Sequence, residues 1–241
     1  MRIIFVSDFH LKYNTDKTEE QRTARIISFL KSLQGECDVL ILNGDIFDLW
    51  FCWRRVIIKD YFPVLKILAD LRESGCRLIF IAGNHDFWFG DFLKKYLGIE
   101  IYPDCFQEVL AGKKVFAAHG DLYTINDIRY KIFRFFIRKK IPRFIFSIIH
   151  PDLALNIGLL FSRSSRRKII PPRLNTLRAQ GLLKYAQMHR DDYDIMVMGH
   201  SHLPVSQTIG NLTYINTGDW LQHNTYAELN NSGIILKKYN D

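Results

Sequence analysis

The sequence predicts an α/β fold, on three observations. Short apolar runs that end in Asp, Asn or His recur along the chain. Segments of about fifteen residues with helical apolar spacing separate them in the first half. Short runs punctuated by Gly and Asn close the sequence. The 241 residues, 48% hydrophobic and 14% aromatic, can bury one substantial core and fit one domain better than two.

Ile3-Ile4-Phe5-Val6 reads as the first strand and delivers Ser7-Asp8-Phe9-His10. After a polar loop through Asn14 and Asp16, the acid-rich start Thr18-Glu19-Glu20 leads into Ala24, Ile26, Ile27, Leu30 and Leu33 at helical spacing, until Gly35 stops the helix. Residues 38–43 form a second strand ending in Gly44-Asp45-Ile46-Phe47-Asp48. The run Leu49-Trp50-Phe51-Cys52-Trp53, with Arg54-Arg55, is expected to form a lip over the strand ends. A second helix over 59–74 tolerates Pro63 because it falls in the first turn. Gly75 leads into Leu78-Ile79-Phe80-Ile81-Ala82, which ends in Gly83-Asn84-His85-Asp86. Strands joined by helical crossovers make this half of the sheet largely parallel.

Val115-Phe116-Ala117-Ala118 ends in His119-Gly120, and Ile195-Met196-Val197-Met198 ends in Gly199-His200-Ser201-His202. Between them the alternation is interrupted. Residues 128–161 carry long apolar and basic helical stretches broken at Pro142 and Pro151, which predicts a helical cap insertion at about 125–170 in a single domain spanning 1–241. Runs at 203–209, 212–216, 225–229 and 233–239 predict terminal antiparallel strands.

The net charge of +8 is concentrated in one segment. From Arg129 to Lys168 there are eleven Lys and Arg against a single acid, Asp152, so the basicity belongs to the cap and not to the fold. Cys37, Cys52, Cys76 and Cys105 form no Cys-x-x-Cys pair and read as reduced thiols. Met1-Arg2 runs straight into a ligand-bearing strand, so no signal peptide and a cytoplasmic location are expected.

Asp8, His10, Asp45, Asn84, His119, His200 and His202 thus collect at one sheet edge. Oxygen and nitrogen donors without thiolate suit Mn²⁺, Fe or Zn²⁺ and exclude a structural zinc knot; the set is too rich in nitrogen for Ca²⁺ or Mg²⁺ alone. Seven ligands exceed one ion's needs, so two divalent ions sharing a carboxylate are expected, a pair suited to displacement at phosphorus. A single His at a strand end is more often structural, and a lone Asp there is more often a cap; the joint pattern reverses those odds. His150 and His189 lack partner motifs and read as surface or structural residues. His223, after Gly218-Asp219-Trp220, reads as an edge residue, and Asp48 and Asp86 as groups that orient ligands.

These blocks, Asp8-x-His10, Gly44-Asp45-x-x-Asp48, Gly83-Asn84-His85-Asp86, His119 and Gly199-His200-x-His202, resemble in kind and order the calcineurin-like metallophosphoesterases. The resemblance implies a layered fold of mixed sheets flanked by helices. It implies that Asp8, His10, Asp45 and His202 hold one metal and Asp45, Asn84, His119 and His200 the other, with Mn²⁺ the expected ion. His85 and Asn84 would be the catalytic pair, His85 protonating the leaving oxygen or stabilising phosphoryl charge.

Within that superfamily the chain resembles the UDP-2,3-diacylglucosamine pyrophosphohydrolases of lipid A synthesis. That likeness implies substrate contacts from Asp127 and Tyr130, at matching positions after His119-Gly120-Asp121, and from cap residues Arg163, Ser164, Arg166, Arg167 and Lys168. It also implies a lipid-linked nucleotide sugar as substrate and peripheral association with the inner-membrane surface. The sequence departs from this group at His85, where its best-known members carry Arg.

Bulky apolar residues interleaved with bases, from Phe133 to Phe161, fit a cap that holds acyl chains and rests on anionic headgroups. A cap packed on the domain with a solvated basic face is the plainer reading. Arg143, His150, Pro151 and Asp152 interrupt the longest run and argue against a membrane span. Competing functions are a general phosphoesterase or nucleotide hydrolase, a nuclease and a metal-free scaffold. Aliphatics among the bases argue against nucleic acid, and the complete ligand set argues against the scaffold.

Overall fold

The computed structural model describes residues 1–13, 16–125, 128–158 and 172–240. Two mixed sheets pack face to face. The first has the order β11-β10-β1-β2-β3-β4 and the second β5-β6-β7-β9-β8. In the first sheet, β1 (Ile3–Val6), β2 (Val39–Leu42), β3 (Arg77–Ile81) and β4 (Glu100–Tyr102) run parallel. The hairpin of β10 (Thr225–Asn230) and β11 (Gly233–Lys238) joins antiparallel to β1. In the second sheet, β6 (Lys113–Ala118), β7 (Ile195–Met198) and β9 (Leu212–Asn216) are parallel. The strands β5 (Cys105–Leu110) and β8 (Val205–Ile209) pair antiparallel at its edges.

Alternation along the strands sets the layers. Ile3, Phe5, Val39, Ile41, Ile79 and Ile81 face Phe106, Val115, Ala117, Ile195, Val197 and Ile215 across the inter-sheet core. Their neighbours Ile4, Val6, Leu40, Leu42 and Phe80 pack outward on α1 (Lys17–Ser32) and α2 (Phe62–Glu73). Both faces of these strands are covered, which is why they read as unbroken apolar runs. A third cluster joins Phe116, Met196 and Met198 to Leu182 and Ala186 of α7 (Pro172–Met188).

The helix boundaries follow the local chemistry. Asp16 caps α1 by accepting from the Glu19 amide at 3.0 Å, and Gly35 lies in the left-handed region at φ 71°. The stretch at 59–74 divides into a 3₁₀ turn, Lys59–Tyr61, and α2, with Pro63 in the first turn of α2.

The terminal antiparallel strands form two hairpins in different sheets, not one set, because β10 returns to pair with β1. The strands β4 and β5 and the short α3 (Phe92–Leu97) carry no clear mark in the sequence. Between β6 and β7, in the segment expected to form a cap, α4 (Ile128–Ile137), α5 (Lys140–Ile148) and a helix at 151–158, α6, follow one another. Pro142 does not break this region. It lies in the first turn of α5, where its missing N–H has no intrahelical partner to lose, and the breaks fall at 138–139 and 149–150.

The expected lip over 49–53 is instead core. Trp50, Phe51 and Trp53 are buried, Phe51 bridges to Trp88, and Phe146 of the cap packs on Phe51 and Trp88 with ring centroids 4.8 and 5.3 Å away. Among the described residues, no helix is long and apolar enough to cross a membrane.

Candidate metal centre

The carboxyl ends of β1, β2 and β3 in one sheet and of β6 and β7 in the other open onto a single crevice, where ligands bind in open α/β sheets. The seven ligand candidates meet there. His10 Nε2 lies 3.4 Å from His202 Nε2, 3.7 Å from Asp8 Oδ1 and 3.8 Å from Asp45 Oδ2. His202 Nε2 is 3.3 Å from Asp8 Oδ1. On the other side, His119 Nε2 lies 3.4 Å from Asp45 Oδ2 and 3.0 Å from Asn84 Oδ1, and its ring centroid is 5.1 Å from that of His200. Asp45 therefore stands between two clusters, Asp8-His10-His202 and Asn84-His119-His200.

Backbone strain concentrates at these positions. Asp8, His10, Asp45, His200 and His202 have φ of 54°, 45°, 53°, 66° and 59°, in the left-handed region that costs a side-chain-bearing residue roughly 1–2 kcal/mol. The loops are fixed by hydrogen bonds that extend the β1–β2 pairing: Asp8 N–H donates to Gly44 O at 3.1 Å, His10 N–H to Asp45 O at 2.9 Å and Leu11 N–H to Ile46 O at 2.9 Å. Arg22, buried on α1, donates to the carbonyls of Phe9 and His10. Two glycines are required by close approach. A Cβ on Gly83 would collide with Asp45 Oδ1 and the Asp45 amide, and one on Gly199 with Ser7 Oγ and Asp8 Oδ2.

The imidazoles are oriented by their other nitrogens. Nδ1–H of His119 donates to Asn43 O at 3.1 Å, that of His85 to Asp48 O at 2.9 Å, and that of His202 to Asp219 Oδ2 at 3.2 Å. Each bond leaves Nε2 facing the crevice, the arrangement seen around metal-ligating histidines. Asp86 accepts the amides of Gly83, Asp45, Ile46 and Phe47 at 2.7–3.1 Å and so clamps the β2 and β3 loops together.

The electrostatics match a cation site. Burial pushes Asp8 and Asp45 upward, but His202 and His10 around the first, and His119 and His85 around the second, hold both well below the usual carboxylate range. Burial alone would depress His10 and His119, yet neighbouring carboxylates, Asp48 and Asp8 for His10 and Asp45 for His119, raise both to about 10. Burial, with the charges of His119 and Arg178, lowers His200 to about 3 and keeps it neutral. Burial and Asp45 raise Asp86 to about 7.

Asp8 Oδ1 and His200 Nε2 are buried without a hydrogen-bond partner among the described residues, one in each cluster. Three sets of side chains, Asp8-His10-His202, His10-Asp48-His85 and Asp8-Asp45-His119, converge closely enough to hold an ion. The donors present therefore fit divalent metal.

The remaining expected residues divide. His85 Nε2 reaches to 4.0 Å from Asp45 Oδ2 at the crevice edge. The Tyr130 hydroxyl donates to Asp121 Oδ2 at 2.6 Å, and its ring centroid lies 6.3 Å from that of His200. Asp127, Arg163, Ser164, Arg166, Arg167 and Lys168 fall outside the described residues. His223 Nδ1–H donates to Asp219 Oδ1 at 3.1 Å, so His223 and His202 share one carboxylate. His150 and His189 pair with Asp152 and Asp192.

The sequence reading missed Asp121, Asp219 and Arg178. The step Gly218-Asp219 repeats Gly44-Asp45 and was a usable signal. Arg178 on α7 carries no comparable mark.

An α/β sandwich whose crevice gathers acidic and imidazole donors is the setting of a metal-dependent hydrolase. The family model described as calcineurin-like phosphoesterase matches residues 1–204, and the chain belongs to that family. Membership implies divalent metal. Among curated proteins, UDP-2,3-diacylglucosamine hydrolase of Porphyromonas gingivalis is 28% identical over 263 residues, covering 100% of this chain and 98% of that protein. The proteins of the same name from Stenotrophomonas maltophilia K279a and Haemophilus ducreyi are 28% and 26% identical, covering 98% and 91% of this chain and 98% and 92% of theirs. A solved structure reported as a novel archaeal phosphodiesterase aligns with TM-score 0.53 at 17% identity, over 98% of this chain and 100% of its own, a likeness of fold.

Proposed function

We propose that the protein hydrolyses the pyrophosphate of UDP-2,3-diacylglucosamine, water adding to one phosphorus and the bridging oxygen leaving, to give UMP and 2,3-diacylglucosamine 1-phosphate. The observation that carries this reading is the pairing of the two-cluster centre with a cap whose outer face is apolar. Ile132, Phe133, Phe135, Phe136, Ile141 and Phe144 are all more than half exposed, beside Lys131, Lys139, Lys140 and Arg143. Solvated caps do not carry such a patch, and burying it on acyl chains is favourable by about 0.8 kcal/mol per methylene. The full-length likeness to proteins named for that substrate supports the same choice.

In this reading Asp8, His10, Asp45 and His202 hold one divalent ion and Asp45, Asn84, His119 and His200 the other, Mn²⁺ being the candidate that suits this oxygen and nitrogen set, with Fe or Zn²⁺ as alternatives. When bound, the pair acts as Lewis acid toward the phosphoryl oxygens and acidifies the attacking water. His85, oriented by the Asp48 carbonyl, holds a proton at Nε2 for the leaving oxygen. Asn84 contacts the phosphoryl group as well as metal. Tyr130, Asp127 and the bases Arg163, Arg166, Arg167 and Lys168 bind the sugar and its phosphates. The apolar and basic cap face rests on the cytoplasmic surface of the inner membrane, where the substrate resides.

Incubation with Mn²⁺ and UDP-2,3-diacylglucosamine beside UDP-glucose, read by mass spectrometry, tests the proposal. UMP is expected from the acylated substrate only. Cleavage of neither, with turnover of a small chromogenic diester, would establish the second reading, a general phosphoesterase, which His85 in place of Arg favours.

A further inference from the structure

The cap is attached to the domain through its polar side. Tyr130, Arg134 and Arg138 recur every four residues along and just beyond α4, on one helical face, while Phe133 and Phe136 are exposed. Tyr130 and Arg134 both donate to Asp121 Oδ2, at 2.6 and 2.8 Å, and Arg134 also reaches Asp104 at 2.8 Å. Arg138 goes further. Its guanidinium donates to Gly83 O at 2.7 Å and to Pro103 O at 2.9 Å, lies 4.8 Å from the centre of the Phe87 ring, and is 17% exposed. It thus bridges the chain leaving β3 and the chain leaving β4.

Gly83 directly precedes Asn84 and His85. Its amide donates to Asp86 Oδ1 at 3.0 Å, and the His85 amide donates to Asp45 Oδ1 at 2.9 Å, so a rotation of the Gly83 peptide moves both residues relative to Asp45. The Gly83 carbonyl takes its one side-chain donor among the described hydrogen bonds from the cap. We infer that Arg138 is a positioning residue: it fixes the Gly83 peptide, and through it Asn84 and His85, and so couples the seating of α4 to the catalytic loop. The inference rests on the phosphoesterase reading of the site. A planar fork that spans two carbonyls and stacks on Phe87 is a task for Arg, and Lys supplies only one point of contact.

The test uses the full chain carrying Arg138→Met, Arg138→Ala or Arg138→Lys, with bis(p-nitrophenyl) phosphate, Mn²⁺ calorimetry and hydrogen exchange. Arg138→Met is expected to lower kcat on this small diester at least tenfold, with KM within threefold, although the diester has no acyl chain for the cap to grip. Mn²⁺ affinity should fall about tenfold, as for other residues that orient ligands. Millimolar guanidinium should restore part of the Arg138→Ala activity, and Arg138→Lys should fall between Met and wild type.

In metal-free Arg138→Met, the amides of residues 83–86 should exchange at least tenfold faster than in wild type. This readout bears on the coupling even if the site proves not to be a phosphoesterase, a failure that would show as no Mn²⁺-dependent turnover by wild type. Unchanged exchange at 83–86, unchanged kcat, or a loss confined to KM for the diester would reduce Arg138 to a cap anchor and overturn the inference.

Discussion

At the scale of single residues, the centre is built on contacts too close for ordinary side chains. Asp45 fits between its neighbours only because Gly83 has no Cβ, and Asp8 because Gly199 has none. Gly83→Ala must push Asp45 and the β3 loop apart, and displacement of a reacting group by about 1 Å costs on the order of 100-fold in rate. A loss of that size in kcat on a chromogenic diester is expected, with circular dichroism unchanged; wild-type kcat would show that the loop can yield. The residues that meet in the crevice were legible because apolar runs ended in Asp, Asn and His at five places. The left-handed backbone at Asp8, His10, Asp45, His200 and His202 was not, since Asp and His tolerate that region better than most residues but adopt it only where the surrounding structure holds them there. Asp219 carried a local mark, the Gly-Asp step, but its partner, the ring of His202, lies seventeen residues back in sequence and is brought to it only by the fold.

At the scale of elements, α1 does more than cover the sheet. Glu19 accepts from Lys12 and Arg22, and Arg22 carries that charge on to the Phe9 and His10 carbonyls, so the helix start grips the loop that leaves β1. Arg22→Met should cost about 2–3 kcal/mol, the range for losing hydrogen bonds to a buried charged group, and should weaken metal binding by His10. Burial raises Glu19, but Lys12 and Arg22 outweigh it and hold its pKa below the usual value. A depressed carboxylate stabilises the fold above its unfolded pKa, and that contribution disappears as pH falls through the lower folded value. Acid titration of stability should therefore show a smaller loss below about pH 4.5 in Glu19→Gln than in wild type, where 4.5 is the ordinary Glu value; parallel curves would mean that the Glu19 charge does not stabilise the fold.

Helices α1 and α2 were legible from apolar spacing and Gly stops. The edge strands β4 and β5 were not, because each has only one covered side or a very short run, and partner strands decide their pairing.

At the scale of the whole molecule, the crevice residues come from both sheets. Asp8, His10, Asp45 and Asn84 leave the first sheet, while His119, His200 and His202 leave the second. The sequence showed that these residues share an edge but not that the edge belongs to two sheets, since the division depends on β10 returning to β1 and β9 to β7. Each cluster draws on both sheets, so a cation held by either cluster bridges them and is bound by the folded chain alone.

Linkage then requires the thermal midpoint to rise with free metal, by about 2.7 kcal/mol of added stability at one hundred times Kd, which for a chain of this size is roughly 5–10 °C. Scanning calorimetry across an Mn²⁺ series buffered against EDTA should show that rise. Asp45→Ala, which removes the carboxylate standing between the clusters, should flatten it far more than loss of any one imidazole. A midpoint independent of metal in the wild type would mean that the sheets are held by the core alone and that the crevice carries no inter-sheet ion.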